Sequence, residues 1–181
     1  MGPEDVLRFW FGEEDAWREE WFTKSEDFDR EIRDRFETLY ESAASGTLDD
    51  WRESAEGALA LVIVLDQFPR NMFRGDPKCY ATDEKALATA KHALDRALDR
   101  ELPPTRRSFL YMPFMHCEDL EDQRRSVELF RSLDSGESAA YAVRHMEIVE
   151  RFGRFPHRNE VLGRATTSEE AEFLKEPGSS F

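Results

Sequence analysis

The sequence predicts an all-α protein assembled from antiparallel helix pairs. Apolar residues recur with helical spacing along nearly the whole chain. No run alternates apolar and polar residues with the β-branched enrichment of a strand. Gly, Pro and capping residues punctuate the periodic stretches, leaving only short loops, as neighbouring antiparallel helices require.

The elements follow in order. Pro3 stands where a first helical turn accepts it, and Val6, Leu7, Phe9, Trp10 and Phe11 make a short apolar helix ending at Gly12. A second piece holds Trp17, Trp21 and Phe22. Ser25 reads as an N-cap with acids in the first turn. Phe28, Ile32, Phe36, Leu39 and Tyr40 then form one amphipathic stripe that Gly46 ends. Trp51 marks a connector before a helix over residues 58–68. Its run ALALVIVL is apolar on every side, so it is expected to be fully buried, and it falls far short of the roughly 20 residues of a membrane span. After Pro77 a helix is predicted over 82–100, with Leu87, Ala90, Leu94 and Leu98 on one side. Pro103-Pro104 is the firmest stop, and Thr105 can cap a helix carrying Phe109, Met112 and Phe114. Two more helices are predicted over 119–133, closing at Ser135-Gly136, and over 137–152, ended by Gly153 and Pro156. Thr166 with Glu169, or Thr167 with Glu170, can form a capping box for a last short helix containing Phe173 and Leu174. Residues 1–175 are expected to form a single domain and 176–181 a frayed tail.

Composition sets limits on function. Of 181 residues 40% are hydrophobic, which supports a packed core despite 35% charged residues. The formal net charge of −14 repels phosphate backbones and anionic lipid, so nucleic-acid and membrane partners are disfavoured. Cys79 and Cys117 form neither a metal spacing nor a disulfide framework and read as free thiols in a reducing compartment. With no basic region before the first apolar residues, the N-terminus is not read as a signal peptide, and a cytoplasmic location is expected.

Placing polar residues on these helices is more informative. His145 has Tyr141, Ile148, Val149 and Phe152 at −4, +3, +4 and +7, so it faces the core. His116 lies seven residues after Phe109 and four after Met112, again on an apolar face. Asp66 stands three and four residues after Ile63 and Val62. Such groups need partners once buried, because an unpaired one costs a few kcal/mol, roughly 1–3 or more. They either form a network that fixes helix register or line a pocket whose surroundings shift proton affinity. An aspartate beside a histidine would orient it and raise its basicity.

Two segments share a pattern, DQFPRN at Asp66–Asn71 and RFPHRN at Arg154–Asn159. In each, Phe is expected to anchor a last turn, Pro to stop the helix and Asn to take a left-handed turn. Arg70, Arg74, Arg151, Arg154, Arg158 and Arg164 gather around these breaks. Arginine forks bind carboxylate or phosphate, and equally serve helix C-termini. Two His-x-Glu elements, His116-Cys117-Glu118 and His145-Met146-Glu147, suggest a metal, but helical i and i+2 point about 200° apart, so no metal is expected. Adjacency of Cys117 to His116 is equally weak as a nucleophile–base pair.

Three stretches, LALVIVLDQFPRNMFRG, FLYMPFMHCEDLEDQ and HMEIVERFGRFPHRNEVLGRATTSEEAEFL, together resemble the bacterial family catalogued as domain of unknown function 924. VLRFWFG near the N-terminus is similar as well. The resemblance implies an all-α superhelix like that of tetratricopeptide-repeat (TPR) proteins, and no activity. It marks Asp66, Gln67, Arg70, Asn71, His116, Glu118, Gln123, His145, Arg151, His157, Arg158 and Asn159 as signature positions, while Cys117 replaces the family's usual serine. Combined with the periodicity, the expected catalytic candidates are Asp66, His116 and His145. The expected ligand-binding residues are Arg70, Asn71, Glu118, Gln123, Arg151, His157, Arg158 and Asn159. No cofactor is implied. The expected partner is a small anionic molecule, turned over by acid–base or hydrolytic chemistry or simply bound, or else a peptide held by a helical scaffold. Nothing in the sequence sets an oligomeric state.

Overall fold

The computed structural model describes residues 1–12, 18–133 and 136–180; Trp17, Ser135 and Phe181 lie outside the described residues. Among the described residues every regular element is helical and no strand occurs. The chain divides into two compact units, Met1–Arg74 with Lys78–Pro113, and Gly75–Pro77 with Phe114–Phe181.

In the first unit α1 (Pro3–Phe11), α2 (Glu26–Ala44), α3 (Ala55–Val62), α4 (Phe68–Met72) and α5 (Asp83–Asp95) build the core. Ser25 caps α2 by accepting the Phe28 N–H, and Gly12 closes α1 with φ 70°. The α2 stripe buries Phe28, Ile32, Phe36 and Tyr40 as expected. Trp10, Trp21, Phe28, Phe68 and Phe109 form a cluster of ring contacts, with centroids 4.8–6.1 Å apart between Trp21 and Phe109 and across the Phe9, Trp10 and Phe68 rings. Burying each such side chain contributes roughly 1.5–3 kcal/mol. Every residue of α3 except Glu56 is buried, in line with its uniformly apolar sequence. Gly57 is required there, since a Cβ would lie 2.1 Å from the Trp51 carbonyl oxygen.

Pro69 does not stop its helix. Residues 55–72 run on without a break as α3, a π-turn at Ile63–Gln67 and α4, so the α-helices form eight rods among the described residues. The π-turn widens the ladder, with the Phe68 N–H reaching the Ile63 carbonyl. Proline has no N–H to offer the Leu65 carbonyl four residues back, and the Thr82 hydroxyl donates to that carbonyl instead, at 2.6 Å. Asn71 is consequently helical, not left-handed. The helix predicted over 82–100 ends at Asp95, because Ala97 adopts φ 57° and leads into a 3-10 turn at Leu98–Glu101. Its buried face is made of Ala86, Thr89, Ala90 and Ala93. These small side chains suit close approach to α3, whereas Leu87 and Leu94 are only half-buried.

A helix begun in the first unit, α6 (Pro104–His116), carries Pro113 inside it and ends in the second. Asp119 caps α7 (Leu120–Arg131) by accepting the Glu121 and Asp122 N–H groups, and α7 packs along α8 (Gly136–Phe152). After Gly153, Phe155 is extended and Pro156 opens a 3-10 turn, Pro156–Arg158, that Asn159 follows in right-handed helical geometry. The second Phe-Pro therefore starts a turn, whereas the first lies inside a helix. The Thr167–Glu170 capping box forms on α9 (Ser168–Phe173). Beyond it, Arg144 donates to the Pro177 carbonyl and Ser179 to that of Leu174, so bonds reach residue 179 of the expected tail. No helix among the described residues is long and apolar enough to cross a membrane.

Candidate functional site

Asp66, Arg70 and Asn71 belong to the first unit and are bonded within it. The π-turn places Asp66 in the core at 0% exposure. Arg70 reaches Asp66 Oδ1 at 3.1 Å and its carbonyl at 2.7 Å, and grips both oxygens of Asp83 at 2.8 and 3.0 Å. Burial opposes the guanidinium charge, but the two carboxylates outweigh it and raise the Arg70 pKa above its usual value. Asn71 donates to Asp29, which Arg74 also grips in a fork. A buried pair of this kind is costly to break from one side, at about 3–5 kcal/mol, so these residues act as struts.

The other eight candidates belong to the second unit, and three of them converge on one side chain. Phe155, fully buried, has the His145 ring edge-on at 5.6 Å, the His157 ring at 5.7 Å and the Arg158 guanidinium over its face at 4.7 Å. Its backbone is held as firmly. The Phe155 N–H donates to Glu118 Oε1 at 2.7 Å, and Arg164 Nη2 donates to the Phe155 carbonyl at 3.0 Å. Arg164 also forks onto Glu118, at 2.7 and 3.0 Å, and bonds Asn159 Oδ1 at 3.1 Å. Arg158 Nη2 donates to the His116 carbonyl at 2.9 Å. Gln123 donates to the Met115 and Cys117 carbonyls at 2.6 and 2.7 Å, stapling the loop that carries His116 and Glu118.

The electrostatics follow from this packing. His145 Nδ1 lies 2.8 Å from the Tyr141 carbonyl, an acceptor only, so Nδ1 carries the hydrogen and Nε2 is the acceptor nitrogen. This ring is thus bonded to a neutral carbonyl. Burial, aided by His116, Arg158 and His157, pushes the His145 pKa down to about 3, the reverse of a raised basicity. Burial and Arg158 push His157 down to about 4, against a smaller opposing pull from Glu118. For Glu118 burial favours protonation, but the Arg164 fork and the Phe155 N–H prevail and hold its carboxyl below the ordinary range.

Arg151 stands apart from this cluster, half-exposed and paired with Glu169 of α9 at 2.9 Å. Arg154 forks onto the buried Glu170 at 2.6 and 2.9 Å. Sequence reasoning left three contributors out of the site, namely Arg164, Tyr141 through its carbonyl, and Phe155 as the common centre. Periodicity carries no signal for Arg164, which reaches Glu118 from a loop 46 residues away. Among the described residues no group of three or more His, Cys, Asp or Glu side chains is placed to hold a metal ion.

These features define an all-α protein in which one unit is braced by buried ion pairs and the other gathers imidazole and guanidinium groups around an aromatic centre. The chain belongs to the family described as "Bacterial protein of unknown function (DUF924)", which it matches over residues 6–178. It is similar to the solved structure of a protein of unknown function, ATU0120 from Agrobacterium tumefaciens, at 44% identity and a TM-score of 0.90, over 96% of each chain. No curated protein matches it.

Proposed function

We propose that the second unit binds a small anionic molecule beside Phe155. The observation that supports this most is the convergence of His145, His157 and Arg158 on one buried ring, while Glu118 is already taken up by Arg164 and the Phe155 amide. Guanidinium groups in poorly hydrated surroundings bind carboxylate and phosphate oxygens strongly. A net charge of −14 over the molecule favours a small ligand over an anionic polymer. His116, His157, Glu118 and Arg164 are all partly exposed, and so supply the rim that a ligand would meet. An imidazole with a pKa near 3 is a poor proton acceptor at neutral pH. In this reading Arg158 holds the ligand and His116 is the candidate for proton transfer.

Thermal unfolding with sulfate, phosphate or citrate, against chloride at matched ionic strength, tests the proposal. A bound anion raises the Tm with concentration. Wild type should show the rise and a folded Arg158→Gln variant should lose it; no rise in wild type would count against the reading. The fully bonded struts of the first unit favour a second reading, a TPR-like scaffold that holds a peptide and uses its polar groups only for rigidity. That reading predicts no anion-dependent shift at all.

A further inference from the structure

We propose that the anion taken beside Phe155 carries a neutral hydroxyl group, and that Gln123 and Ser126 of α7 recognise it. This rests on the anion-binding reading above and deepens it to the chemical class of the ligand. Both residues belong to the second unit, stand three apart on one face of α7, and are 0% exposed. The Gln123 carboxamide has its orientation fixed. Its nitrogen serves two acceptors, the Met115 and Cys117 carbonyls at 2.6 and 2.7 Å, so Oε1 is left as an acceptor. Among the described residues neither Gln123 Oε1 nor the Ser126 hydroxyl has a hydrogen-bond partner. Native interiors pair such atoms, so two orphans on one helix face point to a polar group that binds there.

The pair stands beside the proposed anion site. Gln123 holds the carbonyls of residues 115 and 117, and Arg158 Nη2 holds that of residue 116 between them, at 2.9 Å. Carboxamide and guanidinium thus grip successive residues, whose Cα atoms are spaced by about 3.8 Å. An anion on Arg158 needs only a short carbon chain to bring a second group to Gln123 and Ser126. The two orphans also select that group. Oε1 can only accept, whereas a serine hydroxyl can donate. A ligand hydroxyl that donates to Oε1 and accepts from Ser126 satisfies both. An ammonium cannot accept, and the nearby Arg158 charge opposes it. An internal water offers the same O–H chemistry, and the test separates the two sources.

Calorimetric titration of the whole protein at pH 7.5 and constant ionic strength compares L- and D-malate with succinate, and glycerol 3-phosphate with propyl phosphate. The members of each set differ in their hydroxyl groups. A hydroxylated ligand should bind about tenfold tighter, or more, than its counterpart, because a buried acceptor left unpaired discriminates strongly. Ser126→Ala should bring that ratio close to one. Equal affinities within both sets, or sulfate that binds where none of the five ligands does, would overturn the hydroxyl assignment, give the two atoms to an internal water and leave the anion site standing. A preference undiminished in Ser126→Ala would overturn the role of these residues. Failure of all five ligands and of sulfate to bind would overturn the anion reading, and this inference with it.

Discussion

Single residues show most sharply which effect wins. Replacing a mid-helix glycine with alanine ordinarily stabilises by about 0.5–1 kcal/mol. At Gly57 the added Cβ would strike the Trp51 carbonyl at 2.1 Å, so Gly57→Ala is expected to destabilise, by roughly 1–3 kcal/mol, in urea unfolding. Arg164→Ala should cost a similar ~1.5–3 kcal/mol, because it removes the guanidinium fork from Glu118, leaving that carboxylate the Phe155 N–H, and takes one of two donors from the Phe155 carbonyl. Unchanged stability would show that the fork is not a structural element. Burial of single polar residues was legible in the sequence: Asp66 and His145, placed inward by periodicity, are 0% and 5% exposed. Their partners were not legible. Spacing says which way a side chain points and nothing about what a distant loop brings to meet it, so Arg164 on Glu118 and the Tyr141 carbonyl on His145 went unseen.

At the scale of elements, cap residues and apolar stripes located most helices, as Ser25 and Thr167 show by their accepted N–H bonds. Phe-Pro was the misleading signal. Read locally it ends a helix, yet Pro69 continues one because a π-turn precedes it and Thr82, 17 residues away, serves the carbonyl that proline cannot. Thr82→Val keeps the shape and removes that donor. It is expected to cost about 1–3 kcal/mol and to loosen the turn that holds Asp66, detectable as faster amide exchange over residues 63–67. Exchange that is unchanged there would mean that the π-turn stands without Thr82. The α5 helix also ended early, since a left-handed Ala97 is a conformation that no sequence rule assigns to alanine.

For the whole molecule, the lowered histidine pKa values set a pH dependence. Unfolded His145 and His157 titrate near 6.5, folded ones at about 3 and 4. Between pH 6.5 and 4 the unfolded chain therefore binds protons that the folded chain refuses, and stability falls as pH falls through that window. The slope reaches at most roughly 1.4 kcal/mol per pH unit for each histidine, with the half-buried His157 contributing less. Glu118, held below the usual carboxylate range, adds a further loss at lower pH, as it is protonated. Urea midpoints at pH 7.0 and 5.0 should differ accordingly. The all-α class and the family were legible from composition, periodicity and three motifs. A division into two compact units was not, because short helix-to-helix connections look the same within a unit and between units.

The most direct measurement of the central claim, a cluster of neutral imidazoles around a buried guanidinium that takes an anion, is an NMR pH titration of the histidine ring protons with and without sulfate. Without sulfate His145 and His157 should titrate near 3 and 4, and with sulfate bound the His157 value should rise. Two histidines that titrate near 6.5 without sulfate and ignore its addition would contradict the account.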